Sequence, residues 1–142
     1  MTQFAKACCA GRDGAALALQ EENKRSVTVS LQPREPYDAA IDACLRCASA
    51  CERCAAACLD EPDAGTMARC IALAADCAAI CRVAAATLAR EGEFSLPTCL
   101  LCAEVCEACS EECSRYPAGH CRACAEACSA CARACRSVSE QQ

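Results

Sequence analysis

The sequence is poor in the residues that usually fill a protein core and in those that usually stack on nucleic-acid bases. Among 142 residues there is no Trp, and there are only two Phe, two Tyr and one His. Leu, Ile, Val and Phe together number 20, about 14%, which is below the roughly 20% at which an ordinary apolar core becomes doubtful. The scarcity of aromatic rings and the net charge of −5 argue against a nucleic-acid partner.

Residue patterns of several enzyme and redox classes are also missing. One His cannot supply the paired Glu-x-x-His motifs of a di-iron bundle. No Cys is followed by Pro, as in the bacterial ferredoxin motif, and no βαβ pattern surrounds a Cys-x-x-Cys. We find no Ser-His-Asp set, paired carboxylates or Gly-rich phosphate loop, and we therefore expect a binding protein rather than an enzyme.

We expect a cytoplasmic protein without a membrane partner. The first residues, MTQFAKACCAGRDG, lack the apolar stretch of a secretory signal. No segment of the sequence is predicted to be long and apolar enough to span a bilayer. In a reducing cytosol, dense cysteine indicates metal binding more often than disulfides.

Cysteine, by contrast, is abundant and regularly spaced. Of 20 cysteines, 18 lie at helical spacing, and three blocks repeat Cys-x-x-Cys-x-x-x-Cys-x-x-Cys-x-x-x-Cys. Alternating steps of three and four residues put each block on one stripe of an α-helix. A fourth, sparser stripe has the same rhythm, with Ala74, Ala84 and Leu88 in place of some thiols. The four sets are Cys44, Cys47, Cys51, Cys54, Cys58; then Cys70, Cys77, Cys81; then Cys99, Cys102, Cys106, Cys109, Cys113; and Cys121, Cys124, Cys128, Cys131, Cys135.

Proline and glycine divide the chain into four predicted helices, at residues 37–59, 66–90, 95–115 and 120–138. Their short connectors predict antiparallel neighbours. The expected fold is all-α: an up-down-up-down four-helix bundle with a Cys-lined core over residues 37–138, followed by a tail at 139–142. Residues 1–36 form a separate N-terminal segment, expected as a short helix or an extended tether, in which Cys8 and Cys9 have no assigned role.

Thiolates are soft ligands that suit Cu(I), Zn(II) and iron–sulfur clusters. Cysteines three or four residues apart on one helix have Cβ atoms about 5–6 Å apart, whereas a disulfide needs about 3.5–4.5 Å. Two or three thiolates satisfy Cu(I), so a column of thiols can hold many Cu(I) ions. A zinc or mixed-metal thiolate buffer, an iron–sulfur electron carrier and a disulfide-stapled bundle remain as alternatives.

Three blocks, CLRCASACERCAAACLDE, CIALAADCAAIC and HCRACAEACSACARAC, resemble the cytosolic bacterial copper storage proteins, relatives of which are often labelled as four-helix-bundle "ferredoxins". The resemblance covers about residues 37–138. It implies a bundle filled with multiple Cu(I)–thiolate sites and a homotetrameric assembly. We expect such a protein to exchange its copper with small thiols or a copper chaperone.

The predicted metal ligands are the 18 cysteines of the four stripes, together with His120 and Met67. Antiparallel helices bring both residues to one end of the bundle, here called the His120 end, where we expect Cu(I) to enter. The other end, here called the Leu88 end, is predicted to be closed by apolar side chains, which are Leu88, Phe94, Leu96 and Val138. Thiols packed without metal are expected to stay protonated, with raised pKa values.

Overall fold

The computed structural model describes residues 34–142. This part of the chain contains four α-helices and one 3-10 turn: α1 Tyr37–Leu59, the 3-10 turn Ala64–Met67, α2 Ala68–Ala89, α3 Ser95–Cys113 and α4 Gly119–Glu140. The predictions for Cys8, Cys9 and the rest of the N-terminal segment up to residue 33 lie outside the described residues.

The four helices form the predicted four-helix bundle. Each helix packs against the next one along the chain, and α4 packs back against α1 to close the ring. The connectors are short, so neighbouring helices run in opposite directions. The end of α1, the start of α2, the end of α3 and the start of α4 therefore meet at the His120 end.

Local sequence explains where most helices begin and end. Asp38 lies in the first turn of α1, where a carboxylate interacts favourably with the helix dipole, and Pro97 lies in the first turn of α3. The second helix begins later than predicted, at Ala68. The Thr66 hydroxyl donates a 2.8 Å hydrogen bond to the Asp63 carbonyl oxygen, and this local bond favours a 3-10 turn over an α-helical start.

The core consists almost entirely of cysteine and alanine. All 18 cysteines of the bundle are fully buried, and small alanines such as Ala74 and Ala84 fill the positions between them. Leu88 and Val138 are buried and close the Leu88 end as predicted. The prediction for Phe94 is wrong: this residue precedes the first turn of α3 and is 67% exposed.

The segment Ala64–Ala89 corrects a second expectation. Its most apolar 18-residue stretch has a mean hydropathy of 1.8, so the segment is long and apolar enough, by length and composition, to cross a membrane, whereas no such run was expected from the sequence. In the bundle, 39% of this stretch is buried, including Cys77 and Cys81. A helix that packs into a bundle core can have the same length and hydropathy as a membrane span.

Candidate metal centre

The bundle gathers cysteines from different helices into compact groups. In each of five of the six ligand groups found among the described residues, all four Sγ atoms lie within 4.8 Å of one another. The groups draw their members from helices that are far apart in sequence, so only the folded bundle creates them. From the Leu88 end to the His120 end they are Cys44, Cys102, Cys131, Cys135; Cys47, Cys81, Cys106, Cys131; Cys47, Cys51, Cys77, Cys128; Cys51, Cys109, Cys124, Cys128; and Cys54, Cys58, Cys70, Cys121.

Four of these groups are linked because they share members. Cys131 belongs to the first and second groups, Cys47 to the second and third, and both Cys51 and Cys128 to the third and fourth. The shared thiols lie on α1 and α4. The site is therefore a continuous column of sulfur atoms along the bundle axis rather than a set of isolated clusters.

Thiol contacts connect the helices both around the ring and across it. Cys77 on α2 lies 3.5 Å from Cys106 on α3, and Cys47 on α1 lies 3.8 Å from the same Cys106 across the bundle. Cys70 and Cys113 approach within 3.4 Å. A disulfide bond is only about 2.05 Å long, and all 18 cysteines are free thiols in the structure.

The thiols change one another's acidity. The pKa of Cys81 is lowered to about 6 because the neighbouring Cys102 and Cys106 thiols hydrogen-bond to its sulfur and stabilise the thiolate. The pKa of Cys131 is raised, mainly by its hydrogen bond with Cys102. At the His120 end, burial and the nearby Cys58 raise the pKa of Cys121 to about 12.

The expectation that every buried thiol has a raised pKa is therefore correct for thiols such as Cys121 and Cys131. It is wrong for the six thiols whose pKa is lowered, which are Cys47, Cys77, Cys81, Cys102, Cys124 and Cys135. The physical reason is that an S–H group that donates to a neighbouring sulfur stabilises the thiolate there and retains its own proton. Burial acts in the same direction on all the thiols, whereas hydrogen bonding divides them into donors and acceptors.

His120 lies in the first turn of α4, directly before Cys121, and its side chain is 17% exposed. Its Nε2 atom is 3.3 Å from Oε1 of Glu61. That contact lacks hydrogen-bond geometry, and both buried ring nitrogens have no hydrogen-bond partner among the described residues. A buried imidazole whose nitrogens have no hydrogen-bond partner can use a ring-nitrogen lone pair to bind a metal ion.

Met67 is also at the His120 end. It is 2% exposed and occupies the N-cap position of α2. One helical turn later on the same face lies Cys70, a member of the group at this end. The structure thus brings His120 and Met67 to the same end of the thiol column, as the antiparallel topology predicted.

Glu112 is a buried charged residue that was not expected from the sequence. The side chain of Glu112 is only 5% exposed, and its Oε2 atom accepts a 3.0 Å hydrogen bond from Nε of Arg69. Arg115 lies 3.5 Å from the same oxygen, and the Tyr116 hydroxyl lies 3.3 Å from Oε1. Glu112 follows Cys109 by three residues, so it lies near the thiol stripe of α3. This position of a charged residue is the sequence signal that could have identified it as buried.

The fold and the site together define a class of protein: a four-helix bundle whose core is a column of free thiols, suited to binding several soft metal ions. Residues 33–140 match the sequence profile of the family described as copper storage protein. The chain belongs to that family.

Individual relatives agree with this assignment. The curated "Uncharacterized cysteine-rich protein YhjQ" of Bacillus subtilis (strain 168) is 41% identical over 83 residues, which cover 58% of this chain and 77% of that protein. The Cu(I)-bound copper storage protein BsCsp3 is 41% identical with a TM-score of 0.69, covering 72% of this chain and 97% of that one. A cytosolic copper storage protein from Streptomyces lividans, in a structure with five coppers, is 42% identical with a TM-score of 0.72, covering 74% and 92%.

Proposed function

We propose that this protein stores multiple Cu(I) ions on the thiolates that line its core. The observation that carries the proposal is the column of four-sulfur groups that share Cys47, Cys51, Cys128 and Cys131. Soft thiolates select Cu(I), and shared sulfurs allow neighbouring ions to be held side by side. Membership of the copper storage protein family supports the same conclusion.

We assign metal binding to all 18 cysteines of the bundle, with His120 and Met67 assisting at the His120 end. Both helpers are soft or borderline ligands, and both lie at the polar end of the column. Thiols must lose their protons to bind metal, so loading releases protons and stabilises the folded bundle.

The described residues carry no catalytic constellation of the kinds considered from the sequence, so we propose a binding role rather than an enzymatic one. By similarity to the cytosolic protein of Streptomyces lividans, we place this protein in the cytoplasm. There it would exchange copper with small thiols or a copper chaperone. We propose that it assembles as the homotetramer that the family resemblance implies.

The decisive experiment titrates air-free, metal-free protein with Cu(I) in competition with a chromophoric Cu(I) chelator. With two thiolates per ion, 18 thiols predict about nine or more Cu(I) per chain. A parallel titration with Zn(II) and a zinc chelator serves as the control. Saturation at only a few Cu(I), or retention of more Zn(II) than Cu(I), would contradict copper storage. A visible absorption spectrum of the purified protein separates an iron–sulfur carrier from both.

A further inference from the structure

The His120 end has two sides that are held together differently. On one side, the start of α2 and the end of α3 meet around Glu112. On the other side, the end of α1 and the start of α4 meet around His120. Each side also has a thiol pair: Cys70 and Cys113 at 3.4 Å on the first, Cys58 and Cys121 at 3.8 Å on the second.

On the α2–α3 side, an ion pair lies directly beside the thiol pair in sequence. Arg69 precedes Cys70 on α2, and Glu112 precedes Cys113 on α3. The 3.0 Å hydrogen bond from Arg69 to Glu112 therefore ties together the two backbones that carry these cysteines. The bond is charge-assisted and its carboxylate is buried, although the Arg69 side chain is 69% exposed, so solvent screens only one side of the pair.

Tyr116 extends this connection to the turn before α2. Its hydroxyl lies 3.1 Å from the Thr66 carbonyl oxygen and 3.3 Å from Glu112 Oε1, and it donates its hydrogen to one of them. Thr66 is part of the 3-10 turn that ends at the buried Met67. Glu112 and its three partners, Arg69, Arg115 and Tyr116, here called the Glu112 cluster, thus fix α3, α2 and the preceding turn to one another.

The α1–α4 side lacks an equivalent. Glu61 and His120 approach within 3.3 Å without hydrogen-bond geometry, and the ring nitrogens of His120 have no partner in the described part of the chain. The backbone around Cys58 and Cys121 is therefore less constrained by these side chains than the backbone around Cys70 and Cys113.

We propose that Glu112 is a positioning residue that keeps the α2–α3 side of the His120 end closed, so that Cu(I) exchanges with the thiol column on the α1–α4 side. This rests on the proposed storage function, to which it adds a route. Glu112 binds no metal in this scheme. It acts through the two helices that it holds together beside Cys70 and Cys113.

The test measures the reactivity of each cysteine in metal-free, air-free protein. The protein is treated with N-ethylmaleimide, and the modification rate at each cysteine is followed by peptide mass spectrometry. Glu112→Gln removes the charge and Tyr116→Phe removes only the hydroxyl. Glu107→Gln is the matched control, because Glu107 is also on α3 but bonds Arg136 of α4 at the exposed surface.

In Glu112→Gln we expect Cys70 and Cys113 to react about tenfold faster, the order of effect of losing one hydrogen bond to a charged group. Cys58 and Cys121 keep their wild-type rates, Tyr116→Phe shows a smaller change of the same pattern, and Glu107→Gln shows none. Unchanged rates at Cys70 and Cys113 overturn the proposal. Equal acceleration at all thiols in Glu112→Gln and Tyr116→Phe also overturns the proposal, because that result shows a general loosening of the bundle and not a local effect on the α2–α3 side.

A second readout uses the copper-loaded protein and an excess of chelator. We expect Glu112→Gln to release Cu(I) faster than wild type while binding the same number of ions. Equal release rates would contradict the proposed route. The thiol-reactivity measurement needs no copper, and the wild-type titration tests storage by itself, so failure of the route and failure of the storage function are distinguishable.

Discussion

Cys51 on α1 and Cys128 on α4 lie 3.5 Å apart, and both belong to the same two four-thiol groups. They join the middle of the column to the groups nearer the His120 end. Because each serves two groups, the loss of either removes a sulfur from two places at once. Their contribution to copper binding is therefore expected to exceed that of an average core cysteine.

Replacing Cys51 with Ser tests this. We expect Cys51→Ser to lower the Cu(I) capacity by about two ions per chain, against about one for Cys44→Ser, because Cys44 appears in one of the five groups and the oxygen of Ser is a poor ligand for Cu(I). The measurement is Cu(I) titration to saturation with metal analysis. Equal losses in the two variants would show that sharing of thiols does not govern capacity.

His120→Ala is expected to slow Cu(I) uptake by about a factor of ten, the usual scale for one assisting side chain at a metal site. The final capacity should stay nearly unchanged, because the 18 thiols remain. Stopped-flow mixing of apo protein with a Cu(I)–chelator complex gives the rate. Arg122→Ala, an exposed change on the same helix turn, is the control. The same uptake rate in wild type and His120→Ala would disprove a role for the imidazole.

Ala74 offers a gain-of-function test. It is fully buried on the sparse stripe of α2, between Cys70 and Cys77. We expect Ala74→Cys to raise the capacity by about one Cu(I) per chain, at a cost of about 1–3 kcal/mol in apo stability from overpacking. Ala75→Cys, which adds the thiol at an exposed position, should leave the core capacity as it is. If both variants gain equally, the added ion is not in the column.

The ion pair between Glu107 and Arg136 makes apo stability depend on pH. Two contacts of 2.7 Å lower the pKa of Glu107 below its ordinary value. Because the pKa of Glu107 is lower in the folded state, the pair stabilises the fold at pH values above the pKa of Glu in the unfolded chain, about 4.3. This stabilisation is lost as the pH falls through the pKa of Glu107 in the folded protein.

Urea denaturation at two pH values checks this. Glu107→Gln should cost about 0.2–1 kcal/mol of unfolding free energy at pH 7, because the pair is at the surface. The difference in unfolding free energy between Glu107→Gln and wild type should vanish at about pH 2, where the Glu107 carboxyl is protonated. Glu111→Gln, an exposed position one turn later on α3, is the control, because Glu104 also acts electrostatically on Arg136. A difference that persists at low pH would mean that lost packing, not charge, is responsible.

The helices and the thiol column were predictable because both follow from local spacing. A step of three or four residues determines which side chains share one face of a helix. The first helix, α1, begins at Tyr37 and ends at Leu59, as predicted. The spacing could not predict which cysteines on different helices contact each other. Which thiol donates to which, and therefore the lowered pKa of Cys81, depends on distances between helices.

The Glu112 cluster shows the same limit. Arg69 and Glu112 are 43 residues apart, and nothing local identifies them as partners. The exposure of Phe94 was missed for a related reason: an apolar residue at the Leu88 end was expected to close that end, whereas Phe94 is the N-cap of α3 and is largely exposed. The 3-10 turn before α2 includes backbone and side-chain hydrogen bonds from Thr66 to Asp63, which compete with a regular helix start.

The spacing of sulfurs in the column also bears on how an ion can move within it. Neighbouring sulfurs such as Cys47 and Cys51, or Cys102 and Cys131, are 3.9 Å apart. A metal–thiolate bond of about 2.3 Å is longer than half of that gap, so an ion can bind the next sulfur before it releases the last. An ion that enters at one end therefore never has to become free inside the bundle in order to reach the other end.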